Sequence, residues 1–567
     1  MNYDPSNPLI VQGDRSILVE VDNPRYAEAR DALAPFADLE KSPEHIHTYR
    51  LTPLSLWNAA AAGMTADEMV DVLARYSKFP LPTNLQADIA ELVSRYGRVR
   101  LERHEDKLRL ICPDRPLLEE LARQPKVRAF LGERLDKDSF LIEPAHRGVL
   151  KQALIAVGYP AEDLAGYTEG AALAINLRSI ARTGMPFEVR DYQRDAADIF
   201  YAGGDARGGS GVIVLPCGAG KTIVGIAAMA LMQRSTLILT TSITAVRQWQ
   251  RELLDKTDLA DDQVAEYSGD CKVIGPVTVA TYQILTHRND KKDEYPHFKV
   301  FDERDWGLII YDEVHLLPAP VFRVTAQIQA RRRLGLTATL IREDGREGDV
   351  FSLIGPKKYD VPWRELETQG WIAEATCTEV RVALPEPLRM EYAVAEWRQK
   401  YRLASENPAK ADIVARLLEQ YAGKQVIIIG QYLKQLRALQ KAFDIPIITG
   451  QTPNTEREEI YQRFRTGELQ QLILSKVGNF AIDLPDANVL IQVSGTFGSR
   501  QEEAQRLGRI LRPKANGELA HFYTLVTRDT RELDFAHHRQ LFLTEQGYSY
   551  SILDAGQVLE PADAEVA

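Results

Sequence analysis

The segment Pro216-Cys217-Gly218-Ala219-Gly220-Lys221-Thr222 follows the apolar run Gly211-Val212-Ile213-Val214-Leu215 and opens an Ala- and Ile-rich helical stretch. Strand, glycine-rich turn and helix in that order constrain the chain to an α/β fold with a phosphate loop at the end of a buried strand. Gly218 and Gly220 let backbone N–H groups approach phosphate oxygens, and the helix N-terminus turns its positive end toward their charge. Lys221 can reach the β- and γ-phosphates, and Thr222 can supply a hydroxyl to Mg2+. Leu215 stands where the general eight-residue pattern has its first glycine. ATP or GTP is the expected ligand; the competing reading of the same residues is a tight strand-to-helix turn that binds nothing.

At 567 residues the chain is too long for one core, and its length suggests about three to five domains. Hydrophobic residues at 45% and charged residues at 26% exclude the disordered and fibrous classes. A net charge of −11 argues against coating nucleic acid through a broad basic surface, so any nucleic-acid path must be a local groove. Cys112, Cys217, Cys271 and Cys377 are far apart with no C-x-x-C pair, so neither a zinc nor an iron–sulfur site is expected. Reduced thiols, the lack of a basic-then-apolar leader, and an apolar helical run at 223–232 too short to cross a bilayer all point to a soluble cytoplasmic protein with no membrane partner.

Residues 1–115 read as an α+β accessory domain: a strand at 16–21, a helix opened by Pro53, a capping box at Thr65 and Glu68, a helix over about 84–96, and a hairpin around His104-Glu105-Asp106. Three short helices before a hairpin resemble a winged-helix module, which binds a duplex or a partner, or else serves as a structural lobe. Residues 116–185 show short helices and apolar patches at Phe130-Leu131 and Phe140-Leu141-Ile142. After Phe187 apolar strands alternate with amphipathic helices, the mark of parallel sheets with crossover helices. Strands are expected at 212–215, 236–240, 277–280, 308–311 and 333–337, and a second set at 426–429, 445–449, 472–475 and 489–493. The predicted fold is α/β, with two tandem parallel-sheet domains over 186–360 and 361–555, a polar helical insert at about 389–407, and a flexible tail at 556–567.

Roughly ninety residues past the phosphate loop, Leu308-Ile309-Ile310-Tyr311 runs into Asp312-Glu313-Val314-His315. This is the acidic strand tip that a P-loop ATPase uses: Asp312 holds Mg2+ and Glu313 orients or deprotonates the attacking water. Thr337 and Thr339, in Leu336-Thr337-Ala338-Thr339, place hydroxyls at the next strand end. Gln505-Arg506-Leu507-Gly508-Arg509-Ile510-Leu511-Arg512 opens a helix whose arginines, three residues apart, share a face. Arg509 and Arg512 are candidate arginine fingers for charge developing on the γ-phosphate; a solvated basic helix is the plainer account.

With these residues in view the chain closely resembles the XPB-type DNA helicases of superfamily two, the xeroderma pigmentosum group B family. Arg342-Glu343-Asp344 looks like that family's RED motif, Arg190-Asp191-Tyr192-Gln193 like its adenine-side motif, and Ser475-Lys476-Val477-Gly478 through Asp483-Leu484-Pro485 like its motif V, with Gly498-Ser499-Arg500 leading into the arginine helix. The resemblance implies that both sheets are RecA-like, that ATP and Mg2+ are the cofactors, and that DNA, single-stranded or forked, crosses the outer face. It implies nucleotide contacts from Arg190, Gln193 and Gln505. It also implies DNA contact or coupling at Thr241, Arg247, Trp249, Thr281, Tyr282, Thr449, Gly450, Ser475 and Lys476, with Thr337, Thr339, Arg342, Glu343 and Asp344 beside them. Judged singly, Trp249 and Tyr282 read as core aromatics. Residues 116–185 are similar in position to the family's damage-recognition domain, and the insert from Arg389 resembles its thumb.

The implied activity is an ATP-dependent DNA helicase of 3′→5′ polarity acting in DNA repair. Two other readings stay open: a duplex translocase that moves or twists DNA without separating long strands, and an ATP-gated scaffold that recruits a nuclease or other repair protein through residues 1–115. Contacts to phosphate leave DNA against RNA undecided.

Overall fold

The computed structural model describes residues 3–41, 45–205, 207–216, 218–288, 295–328, 331–338, 346–361, 366–367, 369–371, 374–475, 487–495, 519–545 and 549–559. Two compact units divide the chain, one of Met1–Asp38, His45–Leu215 and Gly220–Val361, the other of Leu39–Glu44, Pro216–Ala219 and Pro362–Ala567. Among the described residues no helix is long and apolar enough to cross a membrane.

In the first unit, strands Leu9–Val11, Ser16–Glu20 and Ile46–Arg50 pair antiparallel. The capping signals hold: Thr65 accepts from the Glu68 amide at 3.2 Å while the Glu68 carboxylate accepts from the Thr65 amide at 2.7 Å, and the helix Ala66–Tyr76 starts there. The hairpin of Val99–His104 and Lys107–Ile111 forms, turning at Glu105 with φ 54°. It continues into a five-stranded sheet with Arg134–Asp136, Ser139–Ile142 and Ala161–Asp163, so residues on both sides of position 115 share one hydrophobic core.

The helix Arg147–Ala156 fastens that core to the motor sheet. A Cβ on Gly148 would lie 2.4 Å from the Ala326 carbonyl oxygen, so the two helix backbones touch where a side chain is missing. Beside the contact, Asp163 accepts from the buried Arg147 and Lys151, each at 2.8 Å, so the two buried cations share one half-buried carboxylate. Gly148→Ala is therefore expected to destabilise this unit by about 1–3 kcal/mol through overpacking against unyielding backbone. Calorimetry of the full chain should show an earlier transition; an unchanged thermogram would mean that the helices relax apart freely.

The motor sheet of the first unit contains β1 (Ser210–Val214), β2 (Thr236–Thr240), β3 (Val264–Tyr267), β4 (Val277–Thr281), β5 (Leu308–Asp312), β6 (Arg332–Thr337) and β7 (Lys357–Asp360), all parallel, in the order β3-β4-β2-β5-β6-β1-β7. Its central strands are buried along nearly their whole length, as strands covered on both faces are.

The second unit repeats this plan. It contains β8 (Ala375–Val382), β9 (Val426–Ile429), β10 (Ile447–Ile448), β11 (Gln471–Leu474), β12 (Val489–Gln492), β13 (Ala520–Thr527) and β14 (Ser549–Asp554), parallel and ordered β10-β11-β9-β12-β13-β8-β14. Counting from the first strand of each sheet, both orders read 3-4-2-5-6-1-7, so the two motor sheets share one topology. The insert is helical, as Glu386–Val394 and Trp397–Ser405. The segment expected to be a loose tail from 556 instead begins within the helix Ala555–Leu559, because Val558 finds a place in the core; residues 560–567 lie outside the described residues.

Candidate nucleotide site on the first motor sheet

Strand β1 sits next to β6, and β6 next to β5, so the three motifs of the sequence emerge together at one end of the sheet. Val214 is in register with Thr337, and Asp312 with Leu336. Leu215, the residue in place of the usual first glycine, is fully buried, and its amide donates to the Thr337 carbonyl at 3.0 Å. That position therefore extends the sheet and leaves the phosphate cradle to the residues after it. Gly218 and Gly220 have φ of +84° and +79°, backbone that a side chain would strain. Gly220 carries a second constraint: a Cβ there would lie 2.5 Å from Gln193 Nε2. The helix Lys221–Met232 starts immediately after it with no side-chain cap, so the positive end of its dipole faces the loop.

Lys221 Nζ lies 3.4 Å from Glu313 Oε1. The other oxygen, Oε2, is 3.5 Å from His315 Nδ1, which is 2.5 Å from Thr337 Oγ1. Glu313 holds φ +51°, uncommon for a residue with a side chain, and this bend turns the chain out of β5. Asp312 Oδ2 accepts from the Trp249 indole N–H at 2.9 Å, and its carbonyl accepts from the Tyr282 hydroxyl at 2.9 Å.

These surroundings separate the two carboxyls. Burial, and then the negative charge of Glu313, push Asp312 up to about 6. Burial also acts to raise Glu313, but Lys221 and then His315 outweigh it and hold the group below its ordinary value. Glu313 is thus the firmly ionised member, as a residue that attracts a water proton must be. A carboxylate and the Thr222 hydroxyl are hard oxygen donors of the kind Mg2+ takes, so the residues present fit that ion.

The adenine-side motif lies beside the loop. Arg190 precedes the helix Asp191–Tyr201, its amide donating to Gln193 Oε1 at 3.1 Å, and buried Gln193 packs against Gly220. The structure thus gathers Gln193, Gly220, Lys221, Asp312, Glu313 and Thr337, with Arg190 and Thr222 on adjoining turns.

The expected DNA-facing set fares differently. Trp249 and Tyr282 are corrected: both are buried, at 1% and 3% exposure, and both support Asp312 from beneath, because their polar atoms are satisfied there. Thr281 is buried and caps the helix Tyr282–Thr286, accepting from the Ile284 amide at 3.2 Å. The Thr241 carbonyl accepts from Gln283 Nε2, and Arg247 is exposed, 3.2 Å from Asp270. In the second unit the Thr449 amide donates to Thr452 Oγ1 at 2.9 Å, Gly450 is exposed in a turn, and Ser475 is buried with its amide donating to the Ile448 carbonyl at 2.9 Å. Thr339, Arg342, Glu343, Asp344, Lys476, Gln505, Arg509 and Arg512 lie outside the described residues. The residue that sequence reasoning quoted but left without a role is His315, which joins Glu313 to Thr337. Its position two residues past Glu313, just after an apolar strand run, is the signal the chain itself carries.

A phosphate loop, an acidic strand tip and a hydroxyl-bearing strand end on neighbouring parallel strands define a P-loop nucleoside triphosphatase, and two RecA-like sheets in tandem place it among the helicases. Family models agree: one described as ERCC3/RAD25/XPB C-terminal helicase matches residues 366–565, a type III restriction enzyme res subunit model matches 186–342, and a helicase conserved C-terminal domain model matches 9–136. The chain is 55% identical to a protein of Kineococcus radiotolerans over 97% of each chain, and 55% identical to one of Mycobacterium tuberculosis over 98% of this chain and 99% of that one; both are named DNA 3′-5′ helicase XPB. It is 34% identical to the Saccharomyces cerevisiae general transcription and DNA repair factor IIH helicase/translocase subunit XPB/SSL2, over 97% of this chain and 72% of that one. The chain belongs to the XPB helicase family.

Proposed function

We propose that the chain is a cytoplasmic, ATP-dependent DNA helicase that moves 3′→5′ in DNA repair, with residues 186–360 and 361–555 as its motor halves and residues 1–185 as its accessory region. The observation that carries the ATPase reading is the continuous chain of contacts Lys221–Glu313–His315–Thr337 at the mouth of the phosphate loop. The names of the bacterial relatives support DNA and the polarity.

Thr222 and Asp312 would hold Mg2+, which when bound neutralises charge building on the phosphates. The protein's own groups do the rest. The loop amides and Lys221 bind the triphosphate, and Gln193, beside Gly220, is placed to select the base. Glu313 draws a proton from the attacking water and orients it. His315 passes the state of that carboxylate to Thr337, at the end of the neighbouring strand. Arg509 and Arg512 add positive charge at the γ-phosphate, and Thr241, Arg247, Gly450 and Lys476 contact the DNA backbone. Repeated changes of grip by the two motor halves convert hydrolysis into steps along the strand.

ATPase rates with single-stranded DNA, duplex DNA, forked DNA and RNA at one salt concentration test this, together with unwinding of duplexes tailed on either strand. DNA-stimulated turnover with unwinding from a 3′ tail is expected; turnover indifferent to DNA would end the reading. The word translocase in the yeast relative's name favours one alternative, movement along duplex without strand separation. Triplex displacement without unwinding would select it. A nuclease or other repair protein is the partner class for residues 1–115.

A further inference from the structure

We infer that Trp249 is a positioning residue for the metal-side carboxylate: its indole N–H fixes the rotation of Asp312, and its ring locks that carboxylate to the helix of the phosphate loop. The inference rests on the ATPase reading above and adds a residue to it.

Three observations carry it. The indole N–H lies 2.9 Å from Asp312 Oδ2, and the indole is 1% exposed, so water does not replace this bond. A half-buried carboxylate beside a second carboxylate depends on the few donors that reach it. The far edge of the same ring is wedged against Gly225: a Cβ there would lie 2.5 Å from Trp249 Cη2 and 3.2 Å from Cζ3. Gly225 is four residues after Lys221 in the helix Lys221–Met232, hence on the same face one turn on. One rigid side chain therefore spans from the phosphate-loop helix to Asp312. It stands on the helix Ile243–Lys256, two residues after the exposed Arg247, so displacement of that helix acts on the carboxylate directly. Partners that orient metal-binding carboxylates typically cost 10–100-fold in metal affinity or activity when removed.

A tryptophan that merely filled the core would weaken nucleotide binding alike with and without metal. The test is Trp249→Phe in the full chain, with a fluorescent N-methylanthraniloyl ADP titrated by anisotropy in excess MgCl2 and in EDTA. The expected result is affinity in EDTA within about twofold of wild type, and a Mg2+-dependent gain in affinity reduced about tenfold. An undiminished gain, or an equal loss in both buffers, would overturn the inference while leaving the ATPase reading intact. A wild-type chain that bound no nucleotide in either buffer would instead remove that reading, and the inference with it. Should the variant fail to fold, wild-type protein labelled with 15N at its six tryptophan indoles carries the test. One indole signal must move when Mg2+ is added to the ADP complex, and six stationary signals overturn the inference.

Discussion

Glu313→Gln is expected to leave ATP binding intact or tighter and to slow hydrolysis by about 10²–10⁴, the range for removing a general base. In the native site Glu313 is half-buried yet held ionised by Lys221 at 3.4 Å and His315 at 3.5 Å. The amide preserves size but cannot accept the water's proton. It also releases Lys221 from a competing anion, so the ammonium is free to favour phosphate. A second consequence concerns pH. Asp312 has its proton affinity raised to about 6, by burial and then by Glu313, so in wild type kcat/KM, which reports the free enzyme, falls as pH drops through about 6 and the carboxylate is protonated. Without the charge at 313 one cause of that rise is gone, and the acid limb moves to lower pH. Single-turnover hydrolysis, equilibrium binding and a pH series from 5 to 8 measure all three effects. Turnover within about twofold of wild type would remove Glu313 from the reaction.

Much of this site is legible in the chain, and the parts that are not have physical causes. β1, β2 and β5 are buried and read as apolar runs of strand length, whereas β4 and β6, equally buried, carry threonines and, in β6, the buried Arg332 and Arg333. β3, Val-Ala-Glu-Tyr, and β7, Lys-Lys-Tyr-Asp, lie at the two edges of the same sheet, need only partial cover, and carry no such run. β8 sits one strand from an edge and alternates, with Glu379 and Arg381 in its middle. Glu379 is fully buried and is tolerated because Arg381 at 3.0 Å and the Tyr550 hydroxyl at 2.7 Å satisfy it, a compensation that only the tertiary fold supplies. The displacement of Trp249 from a DNA-facing role to a place under Asp312 is different, because the pattern was present. In the helix Ile243–Lys256 the buried positions are Val246, Trp249 and Leu253, spaced three and four apart, so helical periodicity turns Trp249 inward and Arg247 outward. Motif position outweighed periodicity there, and periodicity was the better guide. That Trp249 then meets a carboxylate sixty-three residues away is a fact of topology, set by β2 lying next to β5.

Lys221→Ala tests the same charge balance from the other side and is expected to be at least as severe. The ammonium has two duties in this arrangement, holding Glu313 ionised while the site is empty and meeting phosphate when nucleotide arrives. Removing it deletes a cationic clamp on the transferring phosphoryl group, an effect of about 10²–10³ in turnover for loss of one such stabiliser. It also leaves Glu313 and Asp312 as neighbouring half-buried carboxyls, with His315 as the remaining charge partner of Glu313 among the described residues. Glu313 then takes up a proton more readily and ceases to be a base near neutral pH. Lys221→Arg should not rescue the loss, since a planar guanidinium is a poor substitute for a compact ammonium beside a carboxylate. Because Lys221 and Glu313 act as one unit, Lys221→Ala/Glu313→Gln should lose little more turnover than the worse single variant, far less than the product of the two losses. DNA-stimulated ATPase rates of the three variants, with circular dichroism to confirm folding, decide this. Wild-type turnover in Lys221→Ala would refute the nucleotide site, and fully multiplicative losses in the double variant would refute the coupling while leaving the site in place.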